Sequence, residues 1–511
     1  MFKLNPLLIT DGYKLDHRSQ YPEDTEVVYS NGTPRSNKIF QQTWPKHDGK
    51  YVAVGMEATV LYFIKELFDE NFFKQDRDDV CPQYKEVVED ALGPGAITLD
   101  HVYALHDLGY LPIIIKALPE GTVAKIKVPF LTIKNTLPEF FWVTNYLETL
   151  LSAVTWKPIT NATIAREFRI LVDEYAELTG CSDSPTDLQC HDFSMRGLSF
   201  VEDSVFSSLG HMTYFNGTDS MPVKQALKYF YDADPMTGVT VPATEHSVMC
   251  MGSKDKEIDT FERLLKLYPA GIVSIVSDTW DFWKVLTSYT VLLKELIESR
   301  EDITDADGNV LVPGRTVFRP DSGDPVKILT GYKPSEYLES NGSYYCRKTG
   351  KELAEHEVKG AVEVLYDIFG GSETENGFKV LNSSVGLIYG DSITLHRCEA
   401  IMARLAAKGF ASCNVVFGIG SYTYQYNTRD TLGIAFKATA GTRGGEHVEL
   451  FKDPKTDNGT KKSAKGYLKV IDGELYDQQP NDEGGDLEVI FKNGKMVRKT
   501  SWNDVRMRAM L

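Results

Sequence analysis

The sequence predicts an α/β fold in which a parallel sheet occupies the middle of the chain and a β-rich region forms from its two ends. From about residue 185, short apolar runs end in polar or glycine-rich clusters and are followed by helical periodicity, and this pattern occurs seven times. Repeated strand, polar tip and helix is typical of parallel α/β units. The first third mixes both periodicities, and strand-like runs separated by Gly, Asp and Asn return after about residue 431.

The first third of the chain is predicted to hold short strands and amphipathic helices. Apolar residues recur at helical spacing in two segments, and a proline opens a third, as it often does in the first turn of a helix. Strands are indicated by runs of β-branched and aromatic residues bounded by Pro and Gly. The expected helices are 57–73, 83–92 and 138–154, and the expected strands are 25–29, 51–54, 112–118, 122–128 and 130–134.

The polar clusters of the middle region are expected to form the functional site of the protein. If the parallel sheet closes into a barrel, the carboxyl ends of its strands share one rim, where such folds keep their catalytic groups. Seven turns that are all rich in Asp, His, Arg or Gly favour a binding site over simple connections. The clusters are 191–197 (HDFSMRG), 216–220 (NGTDS), 243–247 (ATEHS), 276–281 (VSDTWD), 318–324 (FRPDSGD), 389–392 (YGDS) and 417–421 (FGIGS).

Two domains are predicted from this rhythm. Residues 1–150 and 431–511 form a mixed α+β domain in which the N-terminal part and the C-terminal strands pair, and residues 151–430 form the α/β catalytic domain. Two segments, 298–314 and 333–355, are interpreted as insertions that lengthen loops near the rim. The first resembles a calcium loop around Asp305, but Ile303 stands where an EF-hand needs an oxygen ligand, so a surface turn is expected.

Composition and charge exclude several classes of protein. The 511 residues include 55 Lys+Arg and 72 Asp+Glu, which gives a net charge of −17. A surface that is acidic overall is poorly suited to binding nucleic acid or an anionic membrane. No apolar run approaches the ~18 residues of a spanning helix, and the N-terminal apolar run is too short for a signal peptide. The seven cysteines never have CxxC spacing, which favours reduced thiols over disulfides or zinc ligands. We therefore expect a cytoplasmic protein.

The motifs of several common enzyme classes are absent from the sequence. It contains no G-x-x-x-x-G-K-[ST], H-E-x-x-H, G-x-S-x-G or G-x-G-x-x-G, so P-loop hydrolysis, zinc proteolysis and hydride transfer lack support. Arg319 and Asp321 instead stand two residues apart around a proline, where a guanidinium can bind phosphate and a carboxylate can accept from sugar hydroxyls. Backbone N–H groups in the glycine turns 389–392 and 417–421 can bind a phosphate. Together these features favour a phosphorylated sugar as substrate.

A series of dispersed motifs runs along the chain: TDGYK (10–14) with His17 and QYP (20–22), HDFSMRG (191–197), GTD (217–219), VPATEHS (241–247), VSIVSD (273–278), RPDSGDP (319–325), GDS (390–392), TRD (428–430) and FKDP (451–454). With these motifs the chain resembles the nicotinamide phosphoribosyltransferase family of type II phosphoribosyltransferases over nearly its whole length. The resemblance implies an irregular α/β barrel with a mixed β-rich domain, and a homodimer with active sites at the subunit interface. It also implies conversion of nicotinamide and 5-phosphoribosyl-1-pyrophosphate (PRPP) to nicotinamide mononucleotide and pyrophosphate, with Mg²⁺ and with ATP as a coupling co-substrate.

The resemblance assigns the base and the sugar to particular positions. The pyridine ring is expected between Phe193 and the partner subunit's Tyr13, and the carboxamide is expected at Asp219, Arg319 and Ser274. The ribose and the 5′-phosphate are expected at Asp321, Asp391, Gly390, Gly418 and Gly420. The two carboxylates are also expected to hold Mg²⁺, mainly through the substrate phosphates.

The resemblance likewise assigns the anionic groups and the coupling histidine. Pyrophosphate or ATP is expected at Arg196, Arg35, Arg429, Lys452, Lys461 and Lys465, with Arg35 and Arg429 contributed by the neighbouring subunit. His246 matches the histidine that the family phosphorylates with ATP, and Glu245 beside it is placed to set its tautomer. The expected catalytic residues are His246, Asp321, Arg319 and Asp219.

Asp219 is also the expected specificity residue. A carboxylate accepts a hydrogen bond from the NH₂ group of nicotinamide but repels the carboxylate of nicotinate, by roughly 1 kcal/mol at 4 Å in water and about 4 kcal/mol at an effective dielectric constant of 20. The alternatives are a nicotinate phosphoribosyltransferase, the related decarboxylating quinolinate enzyme, and a non-catalytic partner-binding homologue. The joint presence of four residues argues against the last of these, namely His246, Arg319, Asp321 and Asp219. A type I phosphoribosyltransferase lacks support because its phosphate loop is absent.

Overall fold

Two large β-sheets organise the chain. The computed structural model describes residues 3–451 and 464–511. In chain order its strands are β1 (Thr25–Pro34), β2 (Lys50–Ala53), β3 (Ile113–Ala117), β4 (Thr122–Lys125), β5 (Leu131–Asn135), β6 (Cys190–Asp192), β7 (Gly217–Thr218), β8 (Ile272–Val276), β9 (Ile303–Thr304), β10 (Val310–Val312), β11 (Arg315–Arg319), β12 (Tyr337–Ser340), β13 (Ser343–Cys346), β14 (Glu352–Leu353), β15 (Gly371–Glu373), β16 (Lys379–Leu381), β17 (Val385–Tyr389), β18 (Val415–Ile419), β19 (Ile434–Arg443), β20 (Glu446–Glu449), β21 (Tyr467–Ile471), β22 (Glu474–Gln479), β23 (Glu488–Lys492) and β24 (Lys495–Met496).

Helices cover both sheets. In chain order they are α1 (His17–Gln20), α2 (Lys38–Thr43), α3 (Met56–Thr59), α4 (Arg77–Leu92), α5 (Asp100–Leu108), α6 (Val143–Tyr146), α7 (Glu148–Thr179), α8 (Val201–Met212), α9 (Met221–Tyr231), α10 (His246–Met251), α11 (Glu257–Leu267), α12 (Phe282–Lys284), α13 (Thr290–Leu292), α14 (Lys294–Glu298), α15 (Pro325–Thr330), α16 (Glu355–Lys359), α17 (Ala361–Phe369), α18 (Leu395–Ala407), α19 (Ser421–Tyr424) and α20 (Trp502–Ala509). Segments Val60–Glu66, Asp69–Phe73 and Val285–Tyr289 are π-helical. Within the described ranges no helix has both the length and the apolar composition needed to cross a bilayer.

The first sheet combines strands from both ends of the chain. Its order is β20-β19-β1-β5-β3-β23-β24, and the neighbouring pairs are antiparallel. Gly32 of β1 lies against the rings of Phe130 and Phe436, and a Cβ at this position would come within 2.7 Å of both. The sheet thus joins N-terminal and C-terminal strands, while the division of the chain into two domains stays a prediction.

A buried charged cluster ties the C-terminal segment to the N-terminal region. Both oxygens of Glu120 accept from the backbone, from the N–H groups of Gly55 and Glu57, each at 2.6 Å. The Glu57 carboxylate in turn accepts from Nε of Arg498 at 2.6 Å and from the N–H and hydroxyl of Thr500. Burial raises the pKa of Glu120, and the neighbouring Glu57 raises it further, while Arg498 opposes the shift.

The second sheet is parallel and curled. Its order is β7-β6-β18-β17-β11-β8, and every neighbouring pair is parallel. The segment from Val239 to Ala243 links the two edge strands, because Val239 pairs with Gly217 of β7 and Ala243 pairs with Ser274 of β8. The predicted irregular α/β barrel is confirmed, and its strands all end on one rim.

Helix α7 packs against α8, β2 and β19, and it departs from the predicted helix 138–154. The helix runs for 32 residues through Pro158, and a short 3₁₀ turn and α6 precede it. It approaches α8 closely, since a Cβ at Gly210 would lie 2.8 Å from the carbonyl oxygen of Pro158. The predicted boundary at 150/151 falls inside this helix.

The two inserted segments lie away from the rim, so the expectation that they lengthen rim loops is wrong. Gly271, at the amino end of β8, donates its N–H to Glu301 at 2.8 Å, which holds the β9–β10 hairpin at the end opposite the rim. Glu336, beside β12, is paired with Arg404 in the last turn of α18, a helix that starts near the rim. The Asp305 turn is confirmed as a surface turn, in which the side chain accepts from the N–H groups of Asp307 and Asn309.

Candidate active site

The polar clusters that follow the parallel strands surround a cavity of ≈ 890 Å³. Parallel strands deliver their carboxyl ends to the same edge, which explains why residues distant in sequence meet there. Its lining residues are Phe193, Met195, Arg196, Leu198, Phe200, Val201, Ser204, Asp219, Ser220, Arg319, Asp321, Gly390, Asp391, Ser392, Gly420, Ser421, Tyr422 and Tyr426. The cavity therefore contains Phe193, Arg196, Asp219, Arg319, Asp321, Gly390, Asp391 and Gly420 from the predicted site.

Two glycines give the Phe193 ring its place at the cavity. A Cβ on Gly418 would lie 2.4 Å from the ring, and one on Gly390 would lie 3.2 Å from it. The backbone N–H of Phe193 donates to Ile419 at 3.0 Å, which continues the pairing of β6 with β18. Gly418 thus lies against the aromatic ring, whereas Gly420 faces open space and lines the cavity.

Buried Asp192 fixes the turn that carries Phe193. Its Oδ1 accepts from the N–H of Ser194 at 3.0 Å and from its hydroxyl at 2.6 Å, and its Oδ2 accepts from the Ser208 hydroxyl at 2.5 Å. A fully buried carboxylate is stable only when its lone pairs are satisfied in this way. Asp192 therefore supports the site without lining the cavity.

Arg319 and Asp321 lie close together at the end of β11. Nη2 of Arg319 donates to the carbonyl oxygen of Thr244 at 2.6 Å, and its Nε lies 3.5 Å from Oδ2 of Asp321. The N–H of Asp321 donates to Oδ2 of Asp278 at 3.0 Å. Burial raises the pKa of Asp321; Arg319 opposes this shift, while the carboxylates of Asp278 and Asp391 add to it. Three acidic side chains thus converge beside one guanidinium.

His246 begins helix α10, and its side chain is half exposed. Its Nδ1 lies 3.2 Å from the hydroxyl of Thr279, and its Nε2 lies 3.9 Å from Oδ1 of Asp278. That oxygen is buried, and among residues 3–451 and 464–511 it has no hydrogen-bond partner. The expected pairing of His246 with Glu245 is wrong, because Glu245 has an extended backbone and accepts from the Ser247 hydroxyl instead.

The two other expected carboxamide partners differ in their surroundings. Asp219 follows β7, is exposed, and accepts a hydrogen bond from the Thr240 hydroxyl at 2.5 Å. Ser274 lies within β8, is 4% exposed, and its hydroxyl has no hydrogen-bond partner in the described part of the chain. Asp219 lines the cavity, whereas Ser274 is not among its lining residues.

The residues assigned to a neighbouring subunit lie outside the cavity of one chain. Tyr13 is 64% exposed, and Arg35 donates through Nε to the carbonyl oxygen of Gly433 at 3.2 Å. Arg429 lies 3.5 Å from Asp430 and close in sequence to Gly433, so the two arginines occupy one region of the surface. Lys465 lies with its Nζ 3.8 Å from the ring centre of Phe451. Lys452 and Lys461 fall outside the described residues.

Sequence reasoning missed several residues of the site. Asp278 belongs to the cluster 276–281, but nothing in the sequence singled it out from its neighbours. Tyr422 and Tyr426 stand four residues apart, which places them on one side of a helical turn. Their rings lie 5.0 Å apart at the cavity, and Tyr426 is 80% exposed. The signal was this spacing directly after a glycine turn.

Comparisons with known proteins agree with this geometry. The nicotinate phosphoribosyltransferase (NAPRTase) family model matches residues 188–494. Proteins named nicotinamide phosphoribosyltransferase are 49% identical in Acinetobacter baylyi, covering 99% of this chain and 97% of that protein, and 31% identical in Mycoplasma pneumoniae, covering 91% and 95%. A third, from Xanthomonas campestris, is 30% identical and covers 99% and 98%.

Solved structures agree on the fold. A nicotinate-nucleotide pyrophosphorylase from Pyrococcus furiosus has a TM-score of 0.53 at 12% identity, covering 99% of this chain and 95% of that one. Human nicotinic acid phosphoribosyltransferase has a TM-score of 0.52 at 16% identity, covering 98% and 93%. With the family model matching 307 consecutive residues and full-length relatives at up to 49% identity, the chain belongs to the nicotinate phosphoribosyltransferase family.

Proposed function

We propose that the protein transfers the 5-phosphoribosyl group of PRPP to nicotinamide and releases nicotinamide mononucleotide and pyrophosphate. The observation that carries this proposal is a cavity that contains Phe193, Asp219 and Arg319 together with Asp321 and Asp391. An aromatic ring, an amide acceptor and a guanidinium suit a pyridine carboxamide, and carboxylates suit the hydroxyls of a sugar. The relatives named nicotinamide phosphoribosyltransferase support the same reaction.

The proposed reaction needs no general base to activate nicotinamide. The pyridine nitrogen of nicotinamide is a neutral nucleophile with no proton to lose. It forms a bond to C1 of the ribose while the bond from C1 to the pyrophosphate oxygen breaks, and the leaving pyrophosphate takes that electron pair. Positive charge develops on the sugar ring, so nearby carboxylates stabilise it, and cations such as Arg196 stabilise the leaving group.

Magnesium is part of this proposal. Mg²⁺ prefers oxygen ligands and is commonly held by one or two carboxylates plus substrate phosphates. Asp321 and Asp391 line the cavity, and the unpartnered Oδ1 of Asp278 lies beside them among the described residues, so the donor set fits this ion. Asp321 and Asp391 would hold it mainly through the substrate, where it would neutralise phosphate charge.

We extend the proposal to ATP as a coupling co-substrate, with His246 as the phosphoryl acceptor. In that step a ring nitrogen forms a bond to the terminal phosphorus of ATP while the bond from this phosphorus to ADP breaks. The half-exposed ring beside Asp278 and Thr279 supports this role. A homodimer in the cytoplasm completes the proposal, with Tyr13, Arg35 and Arg429 of a second subunit supplied to the cavity; their exposure in one chain supports it.

The alternative is a nicotinate phosphoribosyltransferase. The name of the matching family model and the human structure favour it, so the base substrate must be tested directly. Asp219 is the discriminating residue, because its exposed carboxylate would face the carboxylate of nicotinate at the cavity.

The test compares turnover of nicotinamide and nicotinate by the wild type, by Asp219→Asn and by the control Asp255→Asn, which changes an exposed carboxylate outside the cavity. Repulsion of about 1–4 kcal/mol predicts that the wild type prefers nicotinamide and that Asp219→Asn loses between about 5-fold and about 10³-fold of this preference. Release of pyrophosphate measures both rates. Preference for nicotinate in the wild type favours the alternative, and absence of turnover with either base refutes the proposed reaction.

A further inference from the structure

Two segments form facing parts of the cavity wall beside Gly420. The Ser199 segment, residues 198–204, contributes Leu198, Phe200, Val201 and Ser204, and the Gln425 segment, residues 420–426, contributes Gly420, Ser421, Tyr422 and Tyr426. The chain just before the Ser199 segment lies against the Gln425 segment, since a Cβ on Gly197 would lie 2.1 Å from the hydroxyl oxygen of Ser421. Their separation therefore determines the width of this end of the cavity.

A buried lysine on helix α7 connects both segments. The Lys157 side chain is 5% exposed, its Nζ donates to Oε1 of Gln425 at 2.8 Å, and it lies 3.7 Å from Oδ1 of Asp203. The amide of Gln425 then donates from Nε2 to the hydroxyl of Ser199 at 3.0 Å. One ammonium and one amide thus join α7, the Ser199 segment and the Gln425 segment.

Burying the charged amine of Lys157 costs free energy, which a purely structural role does not explain. Burial lowers the pKa of this amine, and Asp203 only partly opposes the shift. An apolar side chain of similar volume often replaces a buried ion pair without loss of stability, so the pair is weak evidence for a role in folding alone. A directional hydrogen bond that fixes Gln425 is an alternative explanation.

A second hydrogen-bonded connection runs in parallel with the one through Lys157. Asn427 donates from Nδ2 to Oδ1 of Asn161 at 2.9 Å, and Asn161 donates from its own Nδ2 to the Ser207 hydroxyl at 2.7 Å. This chain also joins α7 and α8 to the stretch that follows the Gln425 segment. Loss of Lys157 alone should therefore shift the cavity wall and leave the protein folded.

We propose that Lys157 is a positioning residue that holds the Ser199 and Gln425 segments at a fixed separation and thereby shapes the phosphosugar end of the cavity. The inference rests on the proposed function, because Gly420 lies on the Gln425 segment, lines the cavity with open space where a Cβ would project, and is one of the residues expected at the 5′-phosphate. The base is expected at Phe193, Asp219 and Arg319, none of which contacts Lys157 through the bonds described.

The experiment measures KM for PRPP, KM for nicotinamide, kcat and the melting temperature for the wild type, Lys157→Met, Gln425→Leu and the double variant. Lys408→Met is the matched control: Lys408 follows the last residue of α18, and its Nζ donates to the carbonyl oxygen of Lys359 in α16 and to Oε2 of Glu363 in α17, outside the cavity. We expect KM for PRPP to rise ~10-fold in both single variants, with KM for nicotinamide and kcat within ~2-fold of the wild type. The double variant should match the single variants, because both remove the same connection.

Each outcome decides the inference. A lower melting temperature with unchanged KM for PRPP means that Lys157 is structural only, and equal increases of KM for both substrates place its effect elsewhere. If Lys157→Met does not fold, Gln425→Leu gives the same reading with the charge retained. Wild-type protein without turnover refutes the proposed function and this inference together, whereas an active wild type with additive single variants refutes this inference alone.

Discussion

Replacing Gly418 with alanine tests whether the Phe193 ring depends on the absence of a side chain beneath it. The new Cβ would lie 2.4 Å from Cδ2 of Phe193 and 2.7 Å from the Cα of Gly390, whereas ordinary contact begins at 3.4 Å. The overlap with the ring is 3.4 − 2.4 = 1.0 Å. The Phe193 ring must therefore move, and the contact with the Cα of Gly390 can be relieved only by a shift of the backbone.

Two magnitudes follow from this overlap. Overpacking of a close-packed site costs roughly 1–3 kcal/mol of unfolding free energy. A displacement of about 1 Å at a substrate-positioning group costs on the order of 10²-fold in activity. Gly418→Ala should therefore leave the protein folded, with a modest loss of unfolding free energy, and should still strongly reduce kcat/KM for nicotinamide.

The assay combines urea unfolding with initial rates at varied nicotinamide, and Gly420→Ala is the matched control. Gly420 has open space where a Cβ would project and a backbone φ of −95°, so alanine fits there without strain. We expect unfolding free energies within ~0.5 kcal/mol of the wild type for Gly420→Ala, with weaker binding of PRPP rather than of nicotinamide. Equal stability and equal KM for nicotinamide in the two variants would refute the reasoning.

Two further changes test the supports of the fold. Asp192→Ala removes the hydrogen-bond acceptor for Ser194 and Ser208. Urea unfolding should therefore show a free energy of unfolding that is about 2–4 kcal/mol lower than that of the wild type, together with lower activity. A decrease below ~1 kcal/mol would contradict this role. Glu120→Gln tests the charged cluster: because the native carboxyl holds its proton above the ordinary glutamate range, wild-type stability should fall as the pH rises from about 5 to about 8. Thermal melting should show a flatter profile for the variant, and parallel profiles would exclude Glu120 as the titrating group.

The fold could be predicted from sequence where the pattern is local. Strand, polar tip and helix recur along the middle of the chain, and the parallel sheet follows that pattern. The helix through Pro158 could not be predicted, because a proline normally ends or kinks a helix. Here Pro158 packs closely against Gly55 and Gly210, which are distant in sequence. Helical periodicity also does not distinguish α-helix from the π-helical segment Val60–Glu66.

The site was predictable at the strand ends and less so in its connections. Phe193, Asp219, Arg319 and Asp321 line one cavity, as residues at neighbouring strand ends should. The position of Asp278 between His246 and Asp321 depends on how far β8 and β11 extend, which sequence does not report. Adjacency in sequence suggested Glu245 as the partner of His246, but neighbouring side chains at a helix start point in different directions.

The shared antiparallel sheet has a consequence for the order of synthesis. Strand β3 has β5 on one side from early on, but its other neighbour, β23, is made only after the entire parallel sheet has left the ribosome. Until then β3 presents unpaired N–H and C=O groups, which invite pairing with other nascent chains. This edge of β3 therefore stays available for such pairing until Glu488–Lys492 is made and occupies it.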